Sequence, residues 1–210
     1  MALNSFLYPV RKPCPSNGVY FCDIVITMYK KVLSAINEHL NSEISARYAL
    51  NLAKVSRAKF YLCFIAGKKL PQSDFERAEE AMKRLFFEAE EMDVQVESIT
   101  VTGDPVREIE KIVRHEGINI VFTATRREDI RRKFYAGTVA RNLLLHLPCS
   151  VALVRVAHMG KIHPHKILVP LKARVTRIKE RGYFTAKMAE VFGSKVFVFH
   201  TTKPITKFFL

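Results

Sequence analysis

Residues 119–155 constrain the fold of this chain more than any other stretch. An apolar run at residues 120–122 leads into a charged loop, a helix starts at Gly137 and Thr138 and stops at Pro148, and a second apolar run follows at residues 151–154. The spacing predicts strand, loop, helix and strand in that order. Strands joined through a helix are typical of parallel sheets, so the stretch predicts part of an α/β domain.

Gly137 and Thr138 stand at the start of the helix in this stretch, where backbone and side-chain groups can bind a phosphate or cap the helix. A glycine lets the backbone approach a ligand closely, and the free N–H groups at the positive end of a helix dipole attract phosphate. The Thr138 hydroxyl either donates to such a phosphate or caps its own helix. The spacing alone favours capping and leaves the phosphate interpretation open.

Strands and helices alternate from residue 30 onward. Strands are predicted at residues 32–36, 59–65 and 94–101, near-continuously apolar in the first two cases. Helices are predicted after a Ser42 cap, after a capping box at residues 73–76, and from Pro105 to Gly117. Their apolar positions are Ile44, Tyr48, Leu52 and Val55; Phe75, Ala78, Met82, Leu85, Phe86 and Ala89; and Val106, Ile109, Ile112 and Val113. The alternation predicts a doubly wound parallel sheet with right-handed crossovers.

Two segments carry a resemblance to a known family. The runs A-G-T-V-A-R-N-L-L-L-H-L-P-C-S-V-A-L-V-R and V-T-G-D-P-V-R-E-I resemble the closing segment and the G-x-P-x-x-x-I segment of universal stress proteins. The likeness covers residues 29–156. It implies an adenine-nucleotide α-hydrolase-like fold, in which a doubly wound five-stranded parallel sheet has a central strand that begins at Val32.

The resemblance also implies a nucleotide site, which this chain has kept only in part. Nucleotide-binding members of the family carry G-x-x-G-x9-G-[ST]; Ala124 and Arg127 stand at the first two glycine positions, whereas Gly137 and Thr138 match. Their Asp at the end of the first strand, which meets the nucleoside, corresponds to Asn37, which lacks the charge of a carboxylate acceptor. These five residues are the predicted cofactor-binding site.

Two of these replacements decide what we expect of the site. Arg127 either fills the space of a phosphate or clamps an anion from the side. Ala124 costs the nucleotide site little unless its backbone needs a positive φ. Together with Asn37, they predict that ATP or AMP binding is weak or absent. No catalytic motif or nucleophile with a partner is found in the sequence, so we expect no enzyme activity.

Residues 166–210 repeat the opening of the domain after a linker at residues 157–165. The runs K-I-L-V-P-L-K and K-V-F-V-F-H restate the first two strands, and residues 184–189 restate residues 48–53. The repeat resembles a truncated second domain of a tandem universal stress protein, with Lys172 at the Asp position. Because two parallel strands cannot cover their own apolar faces and edges, we expect this half-domain to pack on the first domain, a second chain or a partner.

The resemblance further implies self-association. Universal stress domains commonly dimerise through their last strand, here residues 150–155, so we expect a homodimer. Residues 1–28 lie outside the likeness, contain three of the nine prolines and show no helical period. We treat them as an extension of unknown structure, with Met28 as an alternative start.

The remaining sequence features predict a soluble cytoplasmic protein without a metal. No apolar run reaches the ~18 residues that span a bilayer, and Asp23 interrupts the one run that resembles a signal peptide. The four cysteines lack metal-ligand spacing, and neither cysteine nor carboxylate accompanies the histidines of residues 158–165. The cysteines are Cys14, Cys22, Cys63 and Cys149, of which the last two are predicted to be small core residues.

The net charge of +14 leaves a third class of function open. Residues 157–210 hold 11 Lys and Arg against 2 acidic residues, and residues 29–70 hold 8 against 2. The basic excess follows from two basic opening halves and a single acidic closing half. Three classes remain: a regulatory binding protein with a degenerate nucleotide site, a genuine ATP- or AMP-binding protein, and a basic module for nucleic acid or an acidic partner, with specific nucleic-acid binding disfavoured by the lack of a reader motif.

Overall fold

The computed structural model describes residues 8–9, 28–67, 69–125, 138–156, 162–171 and 177–200. The chain forms two compact units. One spans Tyr29–Ile162, and the other combines the described residues of Met1–Met28 with those of His163–Leu210. Within these ranges, no helix has the length and apolar character needed to cross a bilayer.

The described residues form eight strands and five helices. The strands are β1 (Tyr8–Pro9), β2 (Lys31–Ile36), β3 (Lys59–Ala66), β4 (Val96–Thr102), β5 (Ile120–Thr125), β6 (Ser150–Arg155), β7 (Lys166–Leu171) and β8 (Lys195–His200). The helices are α1 (Leu40–Ser56), α2 (Gln72–Glu91), α3 (Pro105–Glu116), α4 (Val139–His146) and α5 (Ile178–Phe192).

The larger unit is built on a five-stranded parallel sheet. The strand order is β4, β3, β2, β5, β6, and each neighbouring pair is parallel. The central strand is therefore the one that begins near Val32, as predicted. The chain runs outward from β2 through β3 to β4 and then crosses to β5, so the order reverses between β2 and β5. A crevice opens at such a switch point, beyond the carboxyl ends of the strands.

The interior strands are buried on both faces, which explains their near-continuous apolar sequences. In β3, residues 60–64 are all buried. One side of the sheet packs against α3 and α4 through a cluster of Leu33, Tyr61, Cys63, Ile109, Val113, Ile118, Val121, Leu143 and Leu147. The helices α1 and α2 also contact the strands and each other. The predicted doubly wound α/β fold is confirmed for this unit.

Two helix starts differ from the sequence prediction. Helix α1 begins at Leu40 after His39, so Ser42 lies inside the first turn and is not the cap. Helix α2 begins at Gln72 after Pro71, and no side chain caps it, so the predicted capping box is wrong. In both cases the helix starts before the hydroxyl residue, which places that hydroxyl within the first turn, where it is no longer at the cap position.

The predicted apolar positions of α1 are only partly correct. Ile44 and Leu52 are buried, whereas Tyr48 and Val55 are only partly so. The fully enclosed side chains of α1 are mostly small ones, Ala46, Ala49 and Ala53 among them. Because α1 contacts both the sheet and α2, small side chains that permit close approach occupy its buried face. The spacing of large apolar residues alone therefore does not identify the buried face of this helix.

Helix α3 begins and ends as predicted. The Asp104 side chain accepts a hydrogen bond from the Arg107 N–H at 3.0 Å, and Pro105 occupies the first turn. The helix ends at Gly117, which has φ of 66°. That left-handed conformation is strained for residues with a Cβ and is ordinary for glycine.

The smaller unit is a three-stranded sheet with one helix. Strands β7 and β8 are parallel and joined through α5, and β1 pairs with β8 in the antiparallel sense. Strand, helix and strand thus follow one another as predicted, although their origin as a second domain copy stays a prediction. Side chains on this sheet remain exposed, with Leu168 at 65% and Phe199 at 38%. Lys172 lies outside the described residues.

Candidate functional site

A cavity of about 460 Å³ lies at the carboxyl edge of the larger sheet. The ends of β2, β3 and β5 contribute to it, as do the segments that lead into α1, α3 and α4. Its lining residues are Ala35, Ile36, Asn37, Glu38, Ser42, Cys63, Phe64, Ile65, Gly67, Leu70, Pro105, Ile109, Thr123, Ala124, Thr138, Val139 and Ala140. The cavity therefore coincides with the switch point between β2 and β5, where doubly wound sheets bind ligands.

Asn37 follows β2 directly, and its side chain shapes the turn into α1. Its Oδ1 accepts a hydrogen bond from the His39 N–H at 3.0 Å. Its own backbone N–H donates to Ser42 Oγ at 3.1 Å, and that hydroxyl lies 2.8 Å from the His39 carbonyl oxygen. This is the local bonding that Asn and Ser side chains favour next to helix starts. Both polar side chains are thus engaged with the backbone at the cavity edge.

Thr138 caps α4. It has extended backbone angles, and its Oγ1 accepts a hydrogen bond from the Arg141 N–H at 3.3 Å. Of the two roles open from the sequence, capping is therefore the one that the structure displays. Thr138, Val139 and Ala140 also line the cavity, so the first turn of α4 meets it. The positive end of a helix favours an anion at this position.

Ala124 lies inside β5 and not in a loop. It pairs with Val154 of β6, is half-buried and lines the cavity. No positive φ is recorded for it, so alanine is accommodated there without backbone strain. Arg127 and Gly137 lie outside the described residues. Of the five predicted site residues, the structure thus brings Asn37, Ala124 and Thr138 together around one cavity.

Glu38 is the cavity residue that the sequence interpretation missed. Its side chain is only 15% exposed, and its Oε1 lies 2.9 Å from His39 Nε2. Among the described lining residues, Glu38 is the one with a formally charged side chain. An isolated glutamate in a loop gives no signal in a single sequence, although its place directly after Asn37 at a strand end was available as a clue.

Both described cysteines have unreactive thiols: Cys63 is buried in the core as predicted, whereas Cys149 is half-buried and packs against that core. Burial raises the pKa of the Cys63 thiol to about 12 and that of Cys149 to about 11. Both are therefore protonated at neutral pH and are poor nucleophiles. Cys14 and Cys22 lie outside the described residues. Within the part of the chain that the structure describes, no cluster of three His, Cys, Asp or Glu residues suited to a metal ion occurs.

Residues 28–155 match the sequence profile of the universal stress protein family. The chain belongs to the universal stress protein family. This match covers more than half of the 210 residues and coincides with the larger unit. No curated protein matches the sequence.

Several solved structures share the fold of this family member. A hypothetical protein solved as a test case of structural genomics is 22% identical, with 63% of this chain and 99% of that one covered and a TM-score of 0.52. A universal stress protein in complex with cAMP is 14% identical, with 61% and 98% covered and a TM-score of 0.51. A Pseudomonas aeruginosa protein of unknown function is 16% identical, with 84% and 62% covered and a TM-score of 0.60.

Proposed function

We propose that this protein is a cytoplasmic regulatory binding protein that holds an adenine nucleotide weakly in the cavity and does not turn it over. The observation that carries this proposal is the cavity of about 460 Å³ at the switch point, bordered by Asn37, Ala124 and Thr138. Pockets of this size accommodate small ligands. The relative that was solved with cAMP supports the same class of ligand.

The chemistry of the lining fits a nucleoside monophosphate. Apolar walls from Ile36, Phe64, Ile65 and Leu70 suit a planar base. The first turn of α4 provides backbone N–H groups for one phosphate. No Lys or Arg is among the described lining residues, which supports a preference for a monophosphate over the higher charge of ATP.

Three of the groups that meet at the cavity support the absence of turnover. The Cys63 thiol is protonated, since burial raises its pKa to about 12. Asn37 neither accepts a proton nor attacks a phosphorus atom, and Thr138 is engaged in capping α4. A binding role is therefore the function that these side chains support.

Titration calorimetry of the purified protein tests the proposal. We expect AMP to bind with a Kd of about 10–500 μM and ATP to bind at least about tenfold more weakly. The reason is that a single helix N-terminus stabilises one phosphate, whereas the described lining adds a carboxylate and no cation. Absence of AMP binding at millimolar nucleotide would contradict the proposal, and phosphate release during the titration would contradict the lack of turnover.

We also propose that the protein forms a homodimer through β6. Strand β6 is the outer strand of the described sheet, since it pairs with β5 alone, and Leu153 on it is 40% exposed. An unpaired apolar edge is a template for pairing with a second copy. We expect Leu153→Glu to raise the dimer dissociation constant at least about tenfold.

Light scattering over a concentration series checks this expectation. Phe87→Glu is the matched control, because Phe87 is 62% exposed on α2, a helix that packs against β4, β3 and β2. Equal weakening by both variants, or a wild-type protein that is monomeric throughout, would refute a dimer through β6.

A further inference from the structure

We propose that the uncovered face of the smaller sheet binds an amphipathic helix of a partner protein, and that the acidic last turn of this helix lies beside Lys166 and Lys195. This face, the open face, carries Lys166, Leu168 and Pro170 of β7 and Lys195, Phe197 and Phe199 of β8. The nature of its occupant follows from the helix that covers the corresponding face of the larger sheet. This interaction is separate from nucleotide binding and does not depend on it.

The open face is apolar and exposed. Residues in register in a parallel pair share a face, and so do alternate residues along each strand. The register pairs Leu168 with Phe197 and Pro170 with Phe199. Leu168 is 65% exposed and Phe199 is 38% exposed, whereas the alternate residues of β7 are half-buried. The single helix α5 therefore covers the other face, although parallel sheets are ordinarily covered on both.

Strands β2 and β3 of the larger unit pair in the same way as β7 and β8. Each ladder is parallel, begins with two paired lysines and continues over the full strands, and a helix joins the two strands in both cases. Leu168 therefore corresponds to Leu33, which is fully buried. Phe197 corresponds to Tyr61, which is fully buried as well. The same sheet face is thus enclosed in the larger unit and open in the smaller one.

Helix α3, together with α4, covers this face in the larger unit. Ile109 and Val113 of α3 belong to the same buried cluster as Leu33 and Tyr61. The two α3 residues stand one turn apart, so they form an apolar stripe on one side of the helix. An amphipathic helix of this kind is therefore the element that such a face accepts.

The paired lysines define the charge of the occupant. In the larger unit, Lys31 Nζ donates to the carbonyl oxygen of Glu116 at 2.6 Å and lies 3.6 Å from the carboxylate of the same residue. The last turn of α3 thus ends at the lysine pair, where a cation is favoured by the negative end of the helix dipole. Among the described residues, neither Lys166 nor Lys195 has an ion-pair partner. A helix that ends in an acidic turn would supply one.

Size and charge favour one helix over a second copy or a membrane. Two paired strands of six residues present a face about 20 Å long and about 10 Å wide, the footprint of one helix of roughly 13 residues. The described residues of the smaller unit hold six Lys and Arg against two Glu, so a second copy would bring like charges together. The lysines stand at one end of the face, which suits a single acidic turn better than an anionic membrane.

Fluorescence anisotropy with the full-length protein and a labelled peptide of residues 103–117 tests the inference, because this peptide has the sequence of α3. A lactam bridge on its polar side holds it helical. We expect a Kd of about 10–100 μM. Leu168→Ser should weaken binding at least about tenfold, since an apolar contact is lost. The matched control is Leu145→Ser, which removes a leucine that is 62% exposed on α4 and should leave binding unchanged.

A charge swap tests where the acidic turn lies. Lys166→Glu should bind the peptide about fivefold more weakly, and a peptide with Glu116→Lys should restore most of the affinity of this variant while binding the wild type weakly. Lys179→Glu is the matched control, because Lys179 is exposed on α5, which covers the opposite face. At physiological salt it should change the affinity by less than about twofold.

Several outcomes would overturn the inference. These are no binding at millimolar peptide, equal binding by a peptide with Ile109→Asp, and unchanged affinity in Leu168→Ser. Binding of phosphatidylserine vesicles without binding of the peptide would assign the open face to a membrane surface. Loss of self-association in Leu168→Ser without binding of the peptide would assign it to a second copy.

Discussion

Replacing Glu43 with glutamine is expected to lower the free energy of unfolding by about 2–4 kcal/mol. The Glu43 side chain is 5% exposed, in the first turn of α1, and two arginines neutralise it. Arg84 of α2 donates from Nε to Oε1 at 3.2 Å and from Nη2 to Oε2 at 3.0 Å. Arg47 donates to Oε1 at 2.8 Å and also reaches Glu88 at 3.0 Å. A neutral amide removes the buried negative charge that these guanidinium groups neutralise and replaces one acceptor oxygen with an NH2 donor.

The pH dependence of stability identifies the carboxylate as the cause. Burial on its own raises the pKa of Glu43, but the hydrogen bonds from Arg84 and Arg47 outweigh it and hold the pKa below its usual value of 4.5. A carboxyl group with a lower pKa in the folded state stabilises the fold above the unfolded pKa, and this contribution disappears as the pH falls through the folded pKa. Below about pH 4.5, therefore, the wild type should lose stability that Glu43→Gln already lacks.

Urea unfolding of both proteins at pH 7 and pH 3.5 measures these quantities. The matched control is Glu80→Gln, because Glu80 also contacts Arg84 but at 3.9 Å with a 69% exposed side chain. Exposed pairs contribute little, so the control should change stability by less than about 0.5 kcal/mol. If the two variants were equally stable, burial of Glu43 would not be the reason that its ion pairs stabilise the fold.

Glu43 also shows where sequence reasoning stops. Its partner Arg84 lies 41 residues away on another helix, and a glutamate in a first helical turn is ordinarily read as a solvated charge that favours the dipole. Nothing local distinguishes the buried carboxylate from an exposed one. The strands are the opposite case. The apolar runs of the interior strands follow from burial on both faces, which a single sequence does record, and the five strands of the larger sheet lie within about three residues of their predicted bounds.

The candidate site was likewise predictable only in part. The position of the cavity follows from the strand order. The alternation of strands and helices, together with the family resemblance, predicts that order and therefore predicts Asn37, Ala124 and Thr138 at one edge of the sheet, where they lie. What their side chains do was not predictable. The Asn37 Oδ1 accepts a hydrogen bond from the His39 N–H, and a sequence does not record whether this oxygen meets a local donor or a ligand. Glu38 was missed for the same reason.

Replacing Ala124 with tryptophan is expected to weaken AMP binding by more than about 100-fold, because the indole would occupy cavity space that the ligand needs. Ala124 is half-buried near the end of β5, lines the cavity, and stands in an extended strand paired with Val154. Large aromatic residues are well accommodated in extended strands. The backbone conformation therefore permits the substitution, and its main effect is to reduce the cavity space open to the ligand.

Calorimetry with AMP and thermal unfolding of the same samples test this expectation together. Thr102→Trp is the matched control, because Thr102 ends β4 at the same edge of the sheet, is exposed and does not line the cavity. It should bind AMP as the wild type does. An Ala124→Trp protein that unfolds at the wild-type temperature and still binds AMP with unchanged affinity would show that the nucleotide sits elsewhere. That outcome would remove the cavity from the proposed function while leaving nucleotide binding itself in place.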